Sequence, residues 1–441
     1  MKLPWARWLE HIREVGIFLK WVLYACGIGL LVGGVAVAFH LGIDWGTHLR
    51  GEFPWVVFFL PLGGPAIVLI YRVCGMEKDR GTNLVLTAVR EAEPMKLRTA
   101  PLIFLSTVLT HLVGGSAGRE GAALQLGGSL AAWVGRNIRL DEKDRRVMVM
   151  CGMSAAFSAL FGTPLTAAIF SMEVVSVGVM YYAALVPCAT AAITAFMLAQ
   201  FCGLHANPGY EIGAVALLSP TAIVQAAALG ALCAAVSVFF CKAMHLAPKL
   251  YTRFFPNPVL RAAVGGALVL ALTLLVGNQD YNGAGDAVIR RMLAGESIPQ
   301  AFLLKILFTA LTLGAGFRGG EIVPVLFTGA AFGTTLGPLL GLPHGFGGAM
   351  GMAAVFCGAT NCPLASIFLS VELFGDGGLL YFALVCGISY MLSGYNGLYS
   401  SQTIVHSKLK AQYINVRTNA YHAGEPVPPF QQGGGEETER D

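Results

Sequence analysis

The stretch Gly114-Gly115-Ser116-Ala117-Gly118-Arg119-Glu120-Gly121 runs straight into Ala122-Ala123-Leu124-Gln125-Leu126. Its glycines suit an exposed, non-helical backbone, and the apolar run after them suits a helix starting at Glu120 or Gly121. The surrounding chain is lipid-like. An ionised glutamate at bilayer depth costs roughly 2.5–3.5 kcal/mol on insertion scales, so Glu120 is a functional candidate by position alone. A helix start offers free N–H groups and the positive end of a dipole, and both attract anions. The stretch therefore reads as an anion site inside a membrane, with a carboxylate that competes for it.

Composition agrees with that setting. The chain has 441 residues, 55% hydrophobic and 12% charged, with a mean hydropathy of +0.65. A soluble protein carries about 25% charged residues, so the pattern is that of an all-α polytopic membrane protein. The net charge of +4 gives no reason to expect a nucleic-acid partner. Arg136, Arg139, Lys143, Arg145 and Arg146 read as a solvated cytoplasmic loop. The ten cysteines are scattered through apolar segments. Cys357 and Cys362 lack the second pair that a zinc site needs, so neither metal nor cofactor is implied. The N-terminus shows no small-residue cleavage site, and the first membrane helix is expected to direct insertion.

In chain order, residues 1–15 carry the amphipathic pattern of an interfacial helix. Residues 16–203 form a first membrane repeat, with helices about 17–45, 55–73, 100–113, 121–135, 147–161, 164–175 and 181–203, and a short one after Gly81-Thr82-Asn83. The Pro61–Pro65 segment predicts a bend. Residues 204–218 are a polar linker. Residues 219–411 form a second repeat, with helices about 219–247, 258–276, 300–315, 322–341, 347–360, 363–374 and 378–394 and a last short one near 399–411. Residues 277–299 read as interfacial or external, and the Pro- and Gly-rich 412–441 as a disordered tail. Several apolar segments are too short to span alone, which predicts broken and re-entrant helices lining a cavity.

The halves resemble each other at an offset near two hundred residues. Gly152-Met153-Ser154-Ala155-Ala156-Phe157 aligns without a gap to Gly351-Met352-Ala353-Ala354-Val355-Phe356. Pro164-Leu165 then matches Pro363-Leu364, and Ser171-Met172-Glu173 matches Ser370-Val371-Glu372. Arg119-Glu120-Gly121 meets Gly320-Glu321-Ile322. Duplicated halves are frequent in secondary transporters, with the site where they meet. Two helix starts would thus aim at one centre.

With these motifs the chain resembles the CLC chloride channels and anion/proton antiporters over about residues 15–410. Gly118-Arg119-Glu120-Gly121 is similar to the family's gating-glutamate motif, with Ala122 where a proline is usual. Gly320-Glu321-Ile322-Val323-Pro324 falls at its second anion-binding loop. Leu398-Tyr399-Ser400 looks like the segment that brings a tyrosine hydroxyl to the central anion, and Gly81-Thr82-Asn83 falls at its Gly-Ser-Gly loop. The resemblance implies two inverted-topology repeats and a homodimer with one pathway per subunit, joined through 164–203 and 363–394. It implies that Glu120 is the external gate and that Thr82 and Tyr399 donate hydroxyl groups. It further implies an anion cradle built around Gly118, Arg119, Gly121, Gly320, Glu321 and Ile322. Donors of this kind replace a halide's hydration shell without a full charge that would trap the ion.

Three departures bear on the branch. The family's chloride/proton antiporters carry an internal proton-transfer glutamate just after the position of Glu173, where this chain has Val174. That loss is typical of channels and of the fluoride/proton antiporters. The fluoride branch carries an extra glutamate in the second loop, as Glu321 does here, but it usually has Met or Asn at Thr82 and Thr at Val323. Halide/proton antiport is therefore the leading expectation, with fluoride slightly ahead of chloride and Glu321 replacing the inner proton relay. A passive anion channel is the alternative that Val174 favours. Gly114-Gly115-Ser116-Ala117-Gly118 also reads G-x-S-x-G, with His111 nearby, but an intramembrane hydrolase would need flanking strands and leave Glu321 unexplained. Glu173 and Glu372 read as helix-end carboxylates bonded to backbone, and His111 as an interhelical hydrogen-bond partner. The plasma membrane is the default location. Lys2, Arg7 and Arg13 ahead of the first span put the N-terminus in the cytoplasm, and the C-terminus is expected there too.

Overall fold

The computed structural model describes residues 4–77, 79–91, 93–204, 209–409 and 413–419. Two sets of eight α-helices follow one another. The first comprises α1 (Pro4–Glu52), α2 (Leu60–Val73), α3 (Thr82–Glu91), α4 (Thr99–Val113), α5 (Glu120–Asn137), α6 (Glu142–Phe161), α7 (Pro164–Glu173) and α8 (Leu185–Phe201). The second comprises α9 (Pro220–Phe254), α10 (Pro258–Val276), α11 (Asp286–Leu293), α12 (Ala301–Ala315), α13 (Ile322–Leu339), α14 (His344–Thr360), α15 (Pro363–Phe374) and α16 (Leu379–Leu392). Each helix has its counterpart eight places on. Among the described residues six helical stretches are long and apolar enough to cross a membrane. α3, α7 and α11 have 10, 10 and 8 residues, far below the ~20 that a crossing needs.

Local chemistry explains the boundaries. α4 ends at Gly114 (φ 90°) and α6 at Gly162 (φ 68°), left-handed positions that glycine adopts without a steric penalty. Proline opens α7, α9, α10 and α15, where its missing N–H has no partner to lose. Asp141 and Ser219 accept the N–H of Asp144 and Ala222 at 2.8 and 3.1 Å.

The repeat is visible in packing as well as in order. α5 crosses α6 so closely that a Cβ on Gly127 would lie 2.1 Å from the Gly152 carbonyl oxygen. α13 crosses α14 the same way, with 2.4 Å from Gly329 to the Gly351 oxygen. A reciprocal exchange joins α7 and α15. The Glu173 carboxylate accepts the N–H groups of Leu364 and Ala365 at 3.1 and 2.8 Å. The Glu372 carboxylate accepts those of Leu165 and Thr166 at 3.0 and 2.9 Å, with the Thr166 hydroxyl at 2.5 Å. Each glutamate thus caps the free donors of the other half's short helix, the backbone-bonded role expected for both.

Three local expectations are corrected. The interfacial helix and the first span are one helix, α1, because nothing within 4 Å crowds Gly16 and no cap or proline interrupts the chain there. At about 1.5 Å per residue it runs roughly 74 Å, more than twice the ~30 Å hydrocarbon core, so part of it extends past the membrane. The segment expected to bend at Pro61–Pro65 begins as a 3-10 turn over Pro54–Phe59 and continues as α2, with Pro61 in its first turn and Pro65 inside it. The last short helix near 399–411 is absent among the described residues. There the chain is extended as β2 (Thr403–His406), which pairs in parallel with β1 (Ser176–Val177) and antiparallel with β3 (Tyr413–Arg417). β3 lies in the segment expected to be disordered, and 420–441 falls outside the described residues.

Candidate functional site

The two glycine-rich turns meet at the centre. Gly118 and Gly320 form an antiparallel bridge, each N–H donating to the other's carbonyl at 2.7 Å. Immediately after the bridge the chain turns into α5 on one side and α13 on the other. The first intrahelical acceptors are the Arg119 and Glu321 carbonyls, taking the N–H groups of Ala123 and Val325 at 2.9 and 3.0 Å. The N–H groups of Glu120, Gly121, Ala122, Ile322 and Val323 precede that point, so two helix starts present their donors side by side. Only glycine permits the contact, since a Cβ on Gly320 would lie 2.5 Å from the Gly121 nitrogen.

Two carboxyl groups are buried here. Glu120 is 1% exposed; its Oε2 accepts the Arg119 N–H at 3.0 Å and its Oε1 lies 3.5 Å from Arg119 Nε. Glu321 Oε2 has no hydrogen-bond partner among the described residues. The spot a Cβ on Gly121 would occupy is 3.0 Å from Thr82 Oγ1 and 3.5 Å from Glu321 Oε2, so the hydroxyl and the carboxyl flank one glycine. Thr82 Oγ1 donates to the Gly121 carbonyl at 3.3 Å.

Tyr399 is buried, its hydroxyl has no partner among the described residues, and Glu321 and Glu120 act on it electrostatically. Asn83, next to Thr82, binds the segment that carries Tyr399: its side-chain oxygen accepts the Ser401 N–H and hydroxyl at 3.0 and 2.8 Å. Arg90 adds a bond to the Ser401 carbonyl at 2.9 Å. The helix carrying Thr82 is thus fastened to the strap carrying Tyr399.

Other singled-out residues serve elsewhere. The Arg119 guanidinium reaches His40 Nδ1 at 2.8 Å and the Leu160 carbonyl at 3.3 Å. Ser116 pins its turn to α12, with its hydroxyl 3.0 Å from Thr309 Oγ1 and its N–H on Thr312 Oγ1 at 3.1 Å. Its hydroxyl is therefore paired with a threonine and not with an imidazole. The His111 carbonyl accepts from Arg50. The Val174 carbonyl accepts from Gln402 Nε2 at 2.9 Å, and Gln402 also bonds Thr360 and Asn361.

The comparisons fit this geometry. Residues 62–394 match the family model described as voltage gated chloride channel. The chain belongs to that family. It is 37% identical over 406 residues to a chloride/fluoride channel protein of Pseudomonas syringae pv. tomato, covering 90% of each. It is 26% identical over 384 residues to an H+/Cl− exchange transporter of Yersinia pestis, covering 80% of each. Among solved structures, a CLC-type fluoride/proton antiporter superposes with a TM-score of 0.84 at 33% identity, over 87% of this chain and 98% of that one. A slow cyanobacterial Cl−/H+ antiporter gives 0.71 at 16% identity, over 85% and 94%, and shares the fold. The membrane-embedded, all-α architecture of two inverted-topology repeats is thus that of CLC transporters.

Sequence reasoning missed the bracket made by Asn83, Arg90, Gln402 and Asn361, whose partners lie far along the chain. It also missed Lys305, which carried a signal: a lone cation inside the apolar run 301–315.

Proposed function

We propose that the chain is a secondary active antiporter exchanging a halide against protons, with fluoride ahead of chloride. The observation that carries this reading is the pair of buried carboxyl groups, Glu120 and Glu321, at two bridged helix starts beside the Thr82 hydroxyl. Charged, Glu120 competes with an anion for the N–H donors of Gly121, Ile322 and their neighbours. Protonated, it no longer competes, and the site takes the anion. Proton uptake and anion binding are thereby linked at one place. Gly118 and Gly320 hold the donors in position, and Arg119 contributes its N–H to the Glu120 carboxylate. Thr82 and Tyr399 supply hydroxyl donors that replace hydration without trapping the ion. Glu321, half-buried with its Oε2 buried and without a partner among the described residues, carries the proton on the inner side, where Val174 offers no titratable group.

The lean to fluoride rests on Glu321 and on the 33% identity to a fluoride/proton antiporter. A passive channel is the second reading, favoured by Val174 and by the 37% identical relative, a chloride/fluoride channel protein. The protein acts as a homodimer joined through 164–203 and 363–394, where Leu185, Phe201, Leu380 and Leu392 are exposed. It resides in the plasma membrane with both termini cytoplasmic.

Reconstitution into liposomes with fluoride, chloride and proton fluxes recorded together tests the reading. Antiport requires a fluoride gradient to drive protons uphill. Anion flux with no proton movement would leave the channel.

A further inference from the structure

Lys305 lies in the middle of the sequence of α12 and is 0% exposed. Its Nζ donates to the Gly283 carbonyl at 2.7 Å and to the Tyr281 carbonyl at 3.3 Å, and it stands 5.1 Å from the centre of the Phe327 ring. Two acceptors and a π face around one nitrogen suit an ammonium, which donates three times and accepts nothing. No carboxylate lies within ion-pair distance of it among the described residues. Asp286, the first residue of α11, acts on it through space and is opposed by Arg50. Asp286 also acts on Glu120.

The surroundings of Lys305 connect it to the anion path at two points. Phe327 stands on α13, five residues beyond Ile322. The Gly283 N–H donates to the Gly115 carbonyl at 3.0 Å, and Asn282 Nδ2 donates to the Gly114 carbonyl at 2.6 Å. The ammonium is therefore linked to both helices of the site, to α13 through Phe327 and to the turn leading to Glu120 through the segment it binds.

We propose that Lys305 is the fixed positive charge of the anion path, an affinity-determining residue that draws a small anion to the paired helix starts without touching it. This rests on the anion site proposed above. A desolvated cation in a low-dielectric interior acts over longer distances than one in water. Its contacts satisfy its N–H donors but leave its charge uncompensated at short range. A negative ion at the helix starts completes that balance.

The test separates charge from hydrogen bonding. Lys305→Gln keeps a donor for Gly283 and removes the charge. Chloride and fluoride binding to the purified full chain is measured by titration calorimetry beside thermal unfolding. Lys305→Gln is expected to weaken anion binding about fivefold to tenfold while Tm stays near the parent value. Asp286→Asn removes the opposing charge and is expected to tighten binding about twofold to threefold. Unchanged affinity in a folded Lys305→Gln protein would overturn the inference and leave Lys305 as a clamp for residues 281–283. If that variant does not fold, Asp286→Asn decides: tighter binding supports the proposal and unchanged binding overturns it. If the unmodified chain binds neither anion, the anion site itself fails, which is a different outcome from a silent substitution.

Discussion

Arg119 and Glu321 occupy equivalent places just before α5 and α13, so the repeat aligns one residue away from the match of Glu120 with Glu321 read from the sequence, and the two carboxyl groups are held differently. Glu120 folds back onto its own turn, taking the Arg119 N–H at 3.0 Å with the Arg119 guanidinium 3.5 Å away. Glu321 stands where the first half has Arg119, and its Oε2 has no partner among the described residues. The common backbone supplies matched donors from two sides. Glu120 therefore has a guanidinium beside it, whereas Glu321 takes the place of that arginine and has no cation within 4 Å among the described residues.

Substitutions at the two glutamates probe this contrast most directly. Glu120→Gln is expected to reduce proton flux to background while anion flux persists. That anion flux should also lose its fall with rising pH, since no carboxylate then deprotonates to re-enter the site. Paired electrode recordings on liposomes check both parts, and preserved coupling would remove Glu120 from its role. Glu321→Gln leaves the competing carboxylate in place and should lower proton flux roughly a hundredfold, the lower range for loss of an acid–base group. If the two variants behave identically, the contrast between the carboxyl groups has no functional meaning.

A smaller effect is expected where the halves are alike. Glu173 and Glu372 each cap the opposite repeat's short helix, so replacing either by Ala should destabilise the protein by about 1.5–3 kcal/mol, as for hydrogen bonds to charged groups. Glu372→Ala should cost more because Thr166 adds its hydroxyl. Thermal unfolding in detergent ranks them, and a reversed order would contradict the geometry. The smallest change is expected for Thr82→Val, which keeps the shape and removes one donor. Anion affinity measured from the concentration dependence of flux should fall about fivefold, near 1 kcal/mol.

Some of this was readable before any coordinates. The glycines at 114–121 and the glutamate after them marked a helix start at membrane depth, and α5 begins at Glu120. The repeat pointed to the partner start but one residue out of register, since α13 begins at Ile322 with Glu321 in the place of Arg119, and α10 spans the expected 258–276. The strap beyond Tyr399 was not readable. Its strand β2 is stabilised by Ser176–Val177 and Tyr413–Arg417, and a strand whose partners lie far off carries little local signal. Nor did Asn83 announce its bonds to Ser401, 318 positions away.

By itself the sequence determined where helices start and stop, that they lie in a membrane, and that the chain is two copies of one unit. Those features follow from local preferences of glycine and proline, from hydrophobicity and from repetition, all written along the chain. Only the tertiary structure decided that Gly118 bonds Gly320, that Glu173 and Glu372 cap each other's halves, and that Lys305 lies between the Tyr281 and Gly283 carbonyls. Those depend on which donors remain unsatisfied when distant segments are buried together, and a buried donor takes whatever acceptor the packing brings to it.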